Sequence, residues 1–210
     1  MARKSTSSRR RGSARRPAKE PRRYVRYMGF AALLVVLIQA TLGGVTVLYR
    51  LPPAVSIAHA CLGQIFFCLI VSIAYLTHSL DPLLYTPQKT KLQRLAMLTL
   101  TFIFFQLIAG ATMRHTGKAL HVHLTLALLV LVHVMLLVKR AVPDFSLESG
   151  VGRMAAALPI LLVVQVALGY ISWRTGPVAA TTAHVAIGAL LFAGTTVITL
   201  RSFQNLQGAA

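Results

Sequence analysis

Three histidines of this chain share a local pattern that could bind a metal or a metal-containing cofactor. Each is followed four positions later by a small residue: His59 by Gly63, His123 by Ala127, and His184 by Gly188. Residues four apart lie on the same face of a helix, one turn from each other. A longer side chain at the second position would obstruct a flat group bound to the imidazole. Because imidazole is the commonest metal-ligating side chain, the pattern indicates a ligand site.

A second pattern, Q-x-x-x-G, occurs on the segment before each histidine. Its copies are Gln39 to Gly43, Gln106 to Gly110, and Gln165 to Gly169, and a short loop follows each one. The order of the two patterns predicts three copies of one helical hairpin, with the three histidines at a similar depth. Two alternatives stay open, because small residues also let membrane helices pack closely and a histidine can hydrogen-bond a neighbouring helix.

Zinc is a poor match to these residues. A structural zinc site needs four nitrogen or sulfur ligands, and a catalytic site usually has three with carboxylates nearby. The chain has four acidic residues, all outside its apolar runs: Glu20, Asp81, Asp144 and Glu148. The other candidate ligands lack the repeated pattern and are interpreted as structural: His78, His115, His121, His133, Cys61 and Cys68.

Heme b matches better, because two imidazoles on facing helices of a four-helix bundle can ligate one iron. The third to sixth helices are predicted to form such a bundle, with His123 and His184 as the metal ligands. Gly110 and Gly169 are then expected to allow close approach in the heme pocket, with helix packing as their alternative role.

Two arginines stand in the short loops of that bundle. Arg114 and Arg174 follow the second and third copies of Q-x-x-x-G. They are placed to pair with the propionates of a bound heme through charge-assisted hydrogen bonds. The alternative is that they extend to the membrane interface without a ligand.

The segments that must position these residues are apolar throughout. Of the chain, 56% is hydrophobic and 12% is charged. Six uncharged runs stand out, at 28–49, 55–77, 95–113, 120–138, 154–173 and 178–200. A helix needs about 20 such residues to cross a membrane, and spanning strands would show alternating polarity. The sequence predicts an all-α polytopic membrane protein with six transmembrane helices.

The 22 lysines and arginines indicate orientation rather than nucleic-acid binding. Four, at Arg50, Arg114, Lys118 and Arg174, fall on the histidine side, and the other 18 fall on the opposite side. The positive-inside rule then predicts cytosolic N- and C-termini. We expect a multi-pass protein of the cell inner (plasma) membrane, in contact with lipid. The predicted organisation is a disordered basic tail (1–26), an unpaired hairpin (27–78), a cytosolic loop (79–94), the bundle (95–201) and a C-terminal tail (202–210).

The sequence resembles the heme A synthase family of cytochrome oxidase assembly proteins. The resemblance is carried by Gln39-Ala-Thr-Leu-Gly-Gly-Val-Thr-Val-Leu with Leu51-Pro and His59, by Met113-Arg-His-Thr-Gly117 with His123, and by Gln165 to Gly169 with His184. It extends from about Gln39 to Leu200 and implies helices three to eight of an eight-helix fold.

The resemblance implies a function as well as a fold. Family members oxidise a methyl group of heme o to the formyl group of heme a, with one heme b held by two histidines. By position, His123 and His184 match the heme b ligands, and His59 matches one histidine of the substrate half. The hairpin expected before Gln39 is absent, together with its histidine and acidic residue, so a second copy or a partner subunit is expected to complete the pocket around His59.

The sequence therefore predicts a heme-binding membrane protein of the heme A synthase type, acting in heme a formation, in electron transfer or in cytochrome oxidase assembly. Its catalytic residues are left unassigned, and heme o or heme a is a further ligand if activity is retained. A heme-free scaffold subunit is the first alternative, since Q-x-x-x-G can serve packing alone. A transporter built from repeats is the second, disfavoured because no intramembrane charge marks a path.

Overall fold

Six helices form the regular structure of the described chain, which contains no strand. The computed structural model describes residues 22–78, 89–145 and 147–204. In chain order the helices are α1 (Arg22–Leu48), α2 (Pro53–Thr77), α3 (Lys89–Thr116), α4 (Leu120–Asp144), α5 (Gly150–Thr175) and α6 (Val178–Phe203). Each helix is long and apolar enough to cross a membrane. The predicted all-α fold with six transmembrane helices is confirmed.

The helices extend beyond the apolar runs that predict them. The largest differences are at the start of α1, the start of α3 and the end of α4, where the sequence predicts limits at Met28, Leu95 and Val138. An apolar run marks the part of a helix inside the hydrocarbon, whereas lysine and arginine are good helix formers and let the helix continue into the polar headgroup region. Residues 22–26 and 89–94, predicted as tail and loop, are therefore helical. The rest of the predicted tail, 1–21, lies outside the described residues.

Helices α3 to α6 pack as a closed ring. α3 contacts α4, α4 contacts α5, α5 contacts α6, and α6 returns to α3. The predicted four-helix bundle is thus present. α2 packs beside it against α3 and α6, and α1 packs against α2. Each histidine pattern lies on the second helix of a hairpin, and each Q-x-x-x-G pattern on the first.

The inner half of α6 is the most enclosed part of the bundle. Every residue from 191 to 199 is buried. The hydroxyl groups in this region each donate to a carbonyl oxygen about one turn earlier: Thr195 to Leu191 (2.9 Å), Thr196 to Phe192 (2.9 Å), Thr199 to Thr195 (2.8 Å) and Ser202 to Thr199 (2.7 Å). Polar groups in a membrane must find partners within the protein. Because these hydroxyls find theirs on their own helix, α6 can be enclosed by α2, α3 and α5.

Left-handed residues at the histidine end let the chain turn between the helices of each hairpin. Gly117 and Gly176 have φ of 69° and 64°. In the first hairpin this conformation is adopted by Arg50 (φ 55°) and Leu51 (φ 62°). The N–H of Leu51 donates to the carbonyl oxygen of Thr46 at 2.7 Å, which caps the last turn of α1. Short turns of this kind place each histidine close to the start of its helix.

Candidate functional site

Gln165 on α5 and His184 on α6 contact each other in two ways. Nδ1 of His184 lies 3.0 Å from the backbone carbonyl oxygen of Gln165. A carbonyl oxygen can only accept, so Nδ1 carries the proton and donates it. In the neutral ring, Nε2 is then an acceptor, and it lies 3.3 Å from the side-chain Nε2 of Gln165, which donates to it. One residue therefore fixes the tautomer of His184 and covers its second nitrogen.

In the middle hairpin, α3–α4, a glutamine side chain again contacts the histidine ring. Nε2 of Gln106 on α3 lies 3.3 Å from Nε2 of His123 on α4. Nδ1 of His123 faces the backbone of Gln106 without reaching good hydrogen-bond geometry, and it has no other partner among the described residues. His123 and His184 thus both direct Nε2 at a glutamine amide of the preceding helix.

The first hairpin uses the same residue types with a different amide contact. Nδ1 of His59 donates to the backbone carbonyl oxygen of Gln39 at 3.2 Å. The side-chain Nε2 of Gln39 donates instead to the backbone carbonyl oxygen of His59 at 3.0 Å. Here the amide bonds the backbone and not the ring.

Glycine at the end of Q-x-x-x-G makes room for each imidazole. A Cβ atom added at these glycines would lie against Cε1 of the histidine in the same hairpin: 3.1 Å for Gly43 and His59, 3.0 Å for Gly110 and His123, and 2.9 Å for Gly169 and His184. The glycine that follows a histidine has another role. A Cβ atom would lie 2.9 Å from Nε2 of Gln39 at Gly63, and 3.0 Å from Nε2 of Gln165 at Gly188. The space predicted for a bound flat group is therefore occupied by a glutamine side chain.

His123 and His184 lie close together across the bundle. Their ring centroids are 6.5 Å apart and their planes are inclined by 63°. The closed ring of α3 to α6 brings them together, since α4 contacts α5 and α3 contacts α6. His59 belongs to the hairpin beside the bundle, and no ring contact to it is found in the described part of the chain. The structure thus pairs two of the three predicted ligands.

The two arginines lie in the last turns of α3 and α5, not in the short loops as predicted, because both helices continue past their apolar runs. Both are exposed. The guanidinium carbon of Arg174 lies 5.9 Å from the ring centroid of Trp173, in cation–π range. An exposed tryptophan and arginine at a helix end are typical of a membrane interface. The pairing of Arg114 and Arg174 with propionates stays a prediction.

Among the residues interpreted as structural, His133 packs against a neighbouring ring, whereas His78 and His121 are exposed. The ring centroid of His133 is 4.5 Å from that of Phe102, and its Nδ1 lies 2.8 Å from the carbonyl oxygen of Leu129. Cys61 is partly buried, Cys68 is buried, and both are free thiols.

Gln106 and Gln165 are functional candidates whose partners the sequence does not indicate. The Q-x-x-x-G pattern locates Gln106 and Gln165 one turn from their glycines. It does not show that their amides reach the imidazoles of the next helix. The recurrence of a glutamine before each histidine, in a segment where polar residues are costly, does indicate a functional role.

Comparison with known protein families identifies the family of this chain. A family model described as cytochrome oxidase assembly protein, COX15-CtaA, matches residues 13–124. The chain belongs to this family. Comparison with curated proteins and with solved structures finds no match. The COX15-CtaA match contains His59 and His123, and His184 lies beyond it. It begins earlier and ends earlier than the stretch from Gln39 to Leu200 on which the resemblance rests.

The paired histidines are chemically suited to the heme that the COX15-CtaA family suggests. With metal–nitrogen bonds of about 2 Å and ring centres roughly 1.2 Å behind each nitrogen, two imidazoles on one iron have centroids about 6.4 Å apart. The observed separation is 6.5 Å. Metal-bound histidines commonly donate their other ring N–H to a backbone carbonyl, as His184 does to Gln165. The donor set and the centroid separation are compatible with bis-histidine ligation once the two amides leave Nε2.

Proposed function

We propose that this chain binds one heme b through His123 and His184 and acts in cytochrome oxidase assembly through the formation of heme a. The observation that carries the proposal is the approach of the two imidazoles to 6.5 Å, one from each hairpin of the bundle. Family membership supports the same role. A histidine pair without a carboxylate nearby suits a cofactor that brings its own iron.

The residues around the pair have separate tasks. The backbone carbonyl of Gln165 orients His184, and Gly110 and Gly169 leave space for the two rings. Arg114 and Arg174 are proposed to pair with the propionates at the membrane surface. A heme held in this way supplies one-electron transfer, and the surrounding helices exclude water from it.

The α1–α2 hairpin is proposed to form part of the substrate site. The His59 ring lies against Gly43 and donates to the backbone carbonyl oxygen of Gln39, as the ring of His184 does with Gly169 and Gln165. In the bundle, a second hairpin supplies the facing imidazole. We therefore propose that a second copy of the chain or a partner subunit faces His59, and that heme o binds there for oxidation of its methyl group.

Heme binding is tested by a reduced-minus-oxidised spectrum of the purified protein, expressed in heme-replete cells. A low-spin b-type signal is expected, with its loss in His123→Ala and in His184→Ala. His121→Ala is the matched control, because His121 is exposed and only two positions from His123. A colourless wild-type protein would end the heme proposal.

The reaction is tested separately. Cells that make heme o but lack their own heme A synthase are supplied with this chain, and their hemes are extracted and separated. Appearance of heme a, lost in His59→Ala, supports the enzymatic role. Absence of heme a in cells whose protein shows the b-type spectrum leaves electron transfer or assembly as its role.

A heme-free scaffold is the second candidate, favoured by the close glycine contacts. The histidine rings fit against glycines of their own hairpins, which is also what a packing motif does. In that case His123→Ala and His184→Ala lower thermal stability equally in heme-replete and heme-free preparations. If heme binds at the pair, heme stabilises the wild type, and neither variant gains stability from it.

A further inference from the structure

We propose that Gln106 and Gln165 are positioning residues that cap the ligating Nε2 atoms of His123 and His184 until iron arrives. This inference rests on the proposed heme function. Both side-chain amides lie 3.3 Å from Nε2 of their histidine, on the nitrogen that a bis-histidine heme needs.

A cap has a physical purpose in the free protein. A buried acceptor without a donor is costly, and more so inside a membrane. With Nδ1 of His184 donating to a backbone carbonyl, its Nε2 requires a donor from elsewhere. The amide of Gln165 supplies that donor at 3.3 Å.

The cap is also easily released, because each amide is held at one end only. Oε1 of Gln106 and Oε1 of Gln165 are buried and have no hydrogen-bond partner in the described ranges. Release of the nitrogen therefore breaks one hydrogen bond of the side chain. Gly188 provides the slot in which the amide of Gln165 lies, since a Cβ there would be 3.0 Å from its Nε2.

The first hairpin shows that the cap does not follow from the pattern alone. Gln39 occupies the same position relative to His59, yet its amide donates to the backbone carbonyl oxygen of His59. The two glutamines that cap a ring nitrogen are therefore those of the paired histidines. The capping contact is therefore associated with His123 and His184, the proposed heme b ligands.

Capping implies competition between amide and iron. An uncapped histidine binds heme without first breaking a hydrogen bond worth about 1 kcal/mol, or roughly fivefold in affinity. Loss of one amide is thus expected to tighten heme binding about fivefold. Loss of both tightens it about 25-fold if the two act independently. A residue with only a structural role would weaken binding when replaced.

The test titrates heme into the full-length apo-protein in lipid nanodiscs. Gln106→Met, Gln165→Met and the double variant are compared with wild type, since methionine has a similar length and no hydrogen-bond donor. Gln93→Met is the control, because Gln93 lies on α3 but donates to the backbone carbonyl oxygen of Ser202. Tighter binding in the first three with unchanged binding in Gln93→Met is expected. Equal or weaker binding in the Gln106 and Gln165 variants overturns the cap.

A second measurement tests, in the absence of heme, whether the glutamine amide is hydrogen-bonded to Nε2. The apo-protein carrying ¹⁵N-labelled histidine is examined by NMR, in which Nδ1 and Nε2 report their protonation and hydrogen bonding. The Nε2 signal of His184 is expected in its unprotonated range and shifts in Gln165→Met, while Gln93→Met leaves it in place. An unshifted Nε2 signal overturns the cap. A wild type that binds no heme defeats the proposed function, and the NMR result still decides the cap.

Discussion

Cε1 of His184 lies 2.9 Å from the point where a Cβ atom at Gly169 would stand. This distance is too short for a non-bonded contact, so Gly169→Ala must move the imidazole away from Gln165. We expect loss of most of the heme b absorbance and destabilisation by about 1–3 kcal/mol, the usual range for overpacking. Absorbance per mole of protein and thermal unfolding in detergent measure the two effects.

The control for this substitution is Gly44→Ala. No atom lies within 4 Å of a Cβ at Gly44 on α1, so heme absorbance should be unchanged. Full heme occupancy in Gly169→Ala would contradict the close contact described for the ring.

Arg50 adopts a left-handed conformation that favours glycine. Its φ is 55°, and the turn of the third hairpin has Gly176 with φ 64°. A residue with a side chain is strained there by about 1 kcal/mol relative to glycine. Arg50→Gly is expected to stabilise the protein by about that amount, measured as a rise in the midpoint of thermal unfolding. Gly176→Ala should lower it, since no atom obstructs its Cβ and only the backbone conformation opposes it.

Gly194 is packed tightly between α5 and α6. Its Cβ would lie 3.2 Å from Cδ2 of Leu158 and 3.5 Å from Cγ of Met154. Gly194→Leu is expected to separate the two helices and to cost about 1–3 kcal/mol or more, together with heme absorbance, because His184 lies on α6. Gly29→Leu is the control, since Gly29 has nothing within 4 Å of its Cβ. Comparable yield and heme occupancy in the two variants would argue against this packing.

The orientation predicted from the distribution of basic residues can be tested by thiol labelling. In a background with Cys61→Ala and Cys68→Ala, we expect Lys118→Cys to react with a membrane-impermeant maleimide on intact cells. Leu147→Cys, an exposed position at the opposite end of the helices, should react only after the membrane is opened. The reverse pattern would place the histidine pair on the cytosolic side.

The sequence predicts the helices well, because they depend on local pattern. Uncharged runs of membrane-spanning length leave no alternative to helices, and the order of the patterns indicates which histidines face each other. The ends of the helices are less accessible to such reasoning. Arg22 and Lys89 continue their helices outside the apolar runs, where hydropathy carries no information about backbone hydrogen bonding.

The contacts of the glutamines could not be predicted from spacing. Gln39 and Gln165 stand at equivalent positions, yet one amide donates to a backbone carbonyl and the other to a ring nitrogen. The choice depends on side-chain rotation and on the space at the facing helix. Spacing along one helix does not encode either of them.

The buried position of α6 determines the order in which the protein can assemble. α6 is synthesised after α1 to α5, but it is the helix that contacts α2, α3 and α5 together and that carries His184. Until it enters the membrane, the ring of α3 to α5 stays open on one side and His123 has no facing imidazole. Insertion of the proposed heme is therefore expected only after translation of the bundle. The earlier helices must persist in the bilayer as an open intermediate that awaits α6.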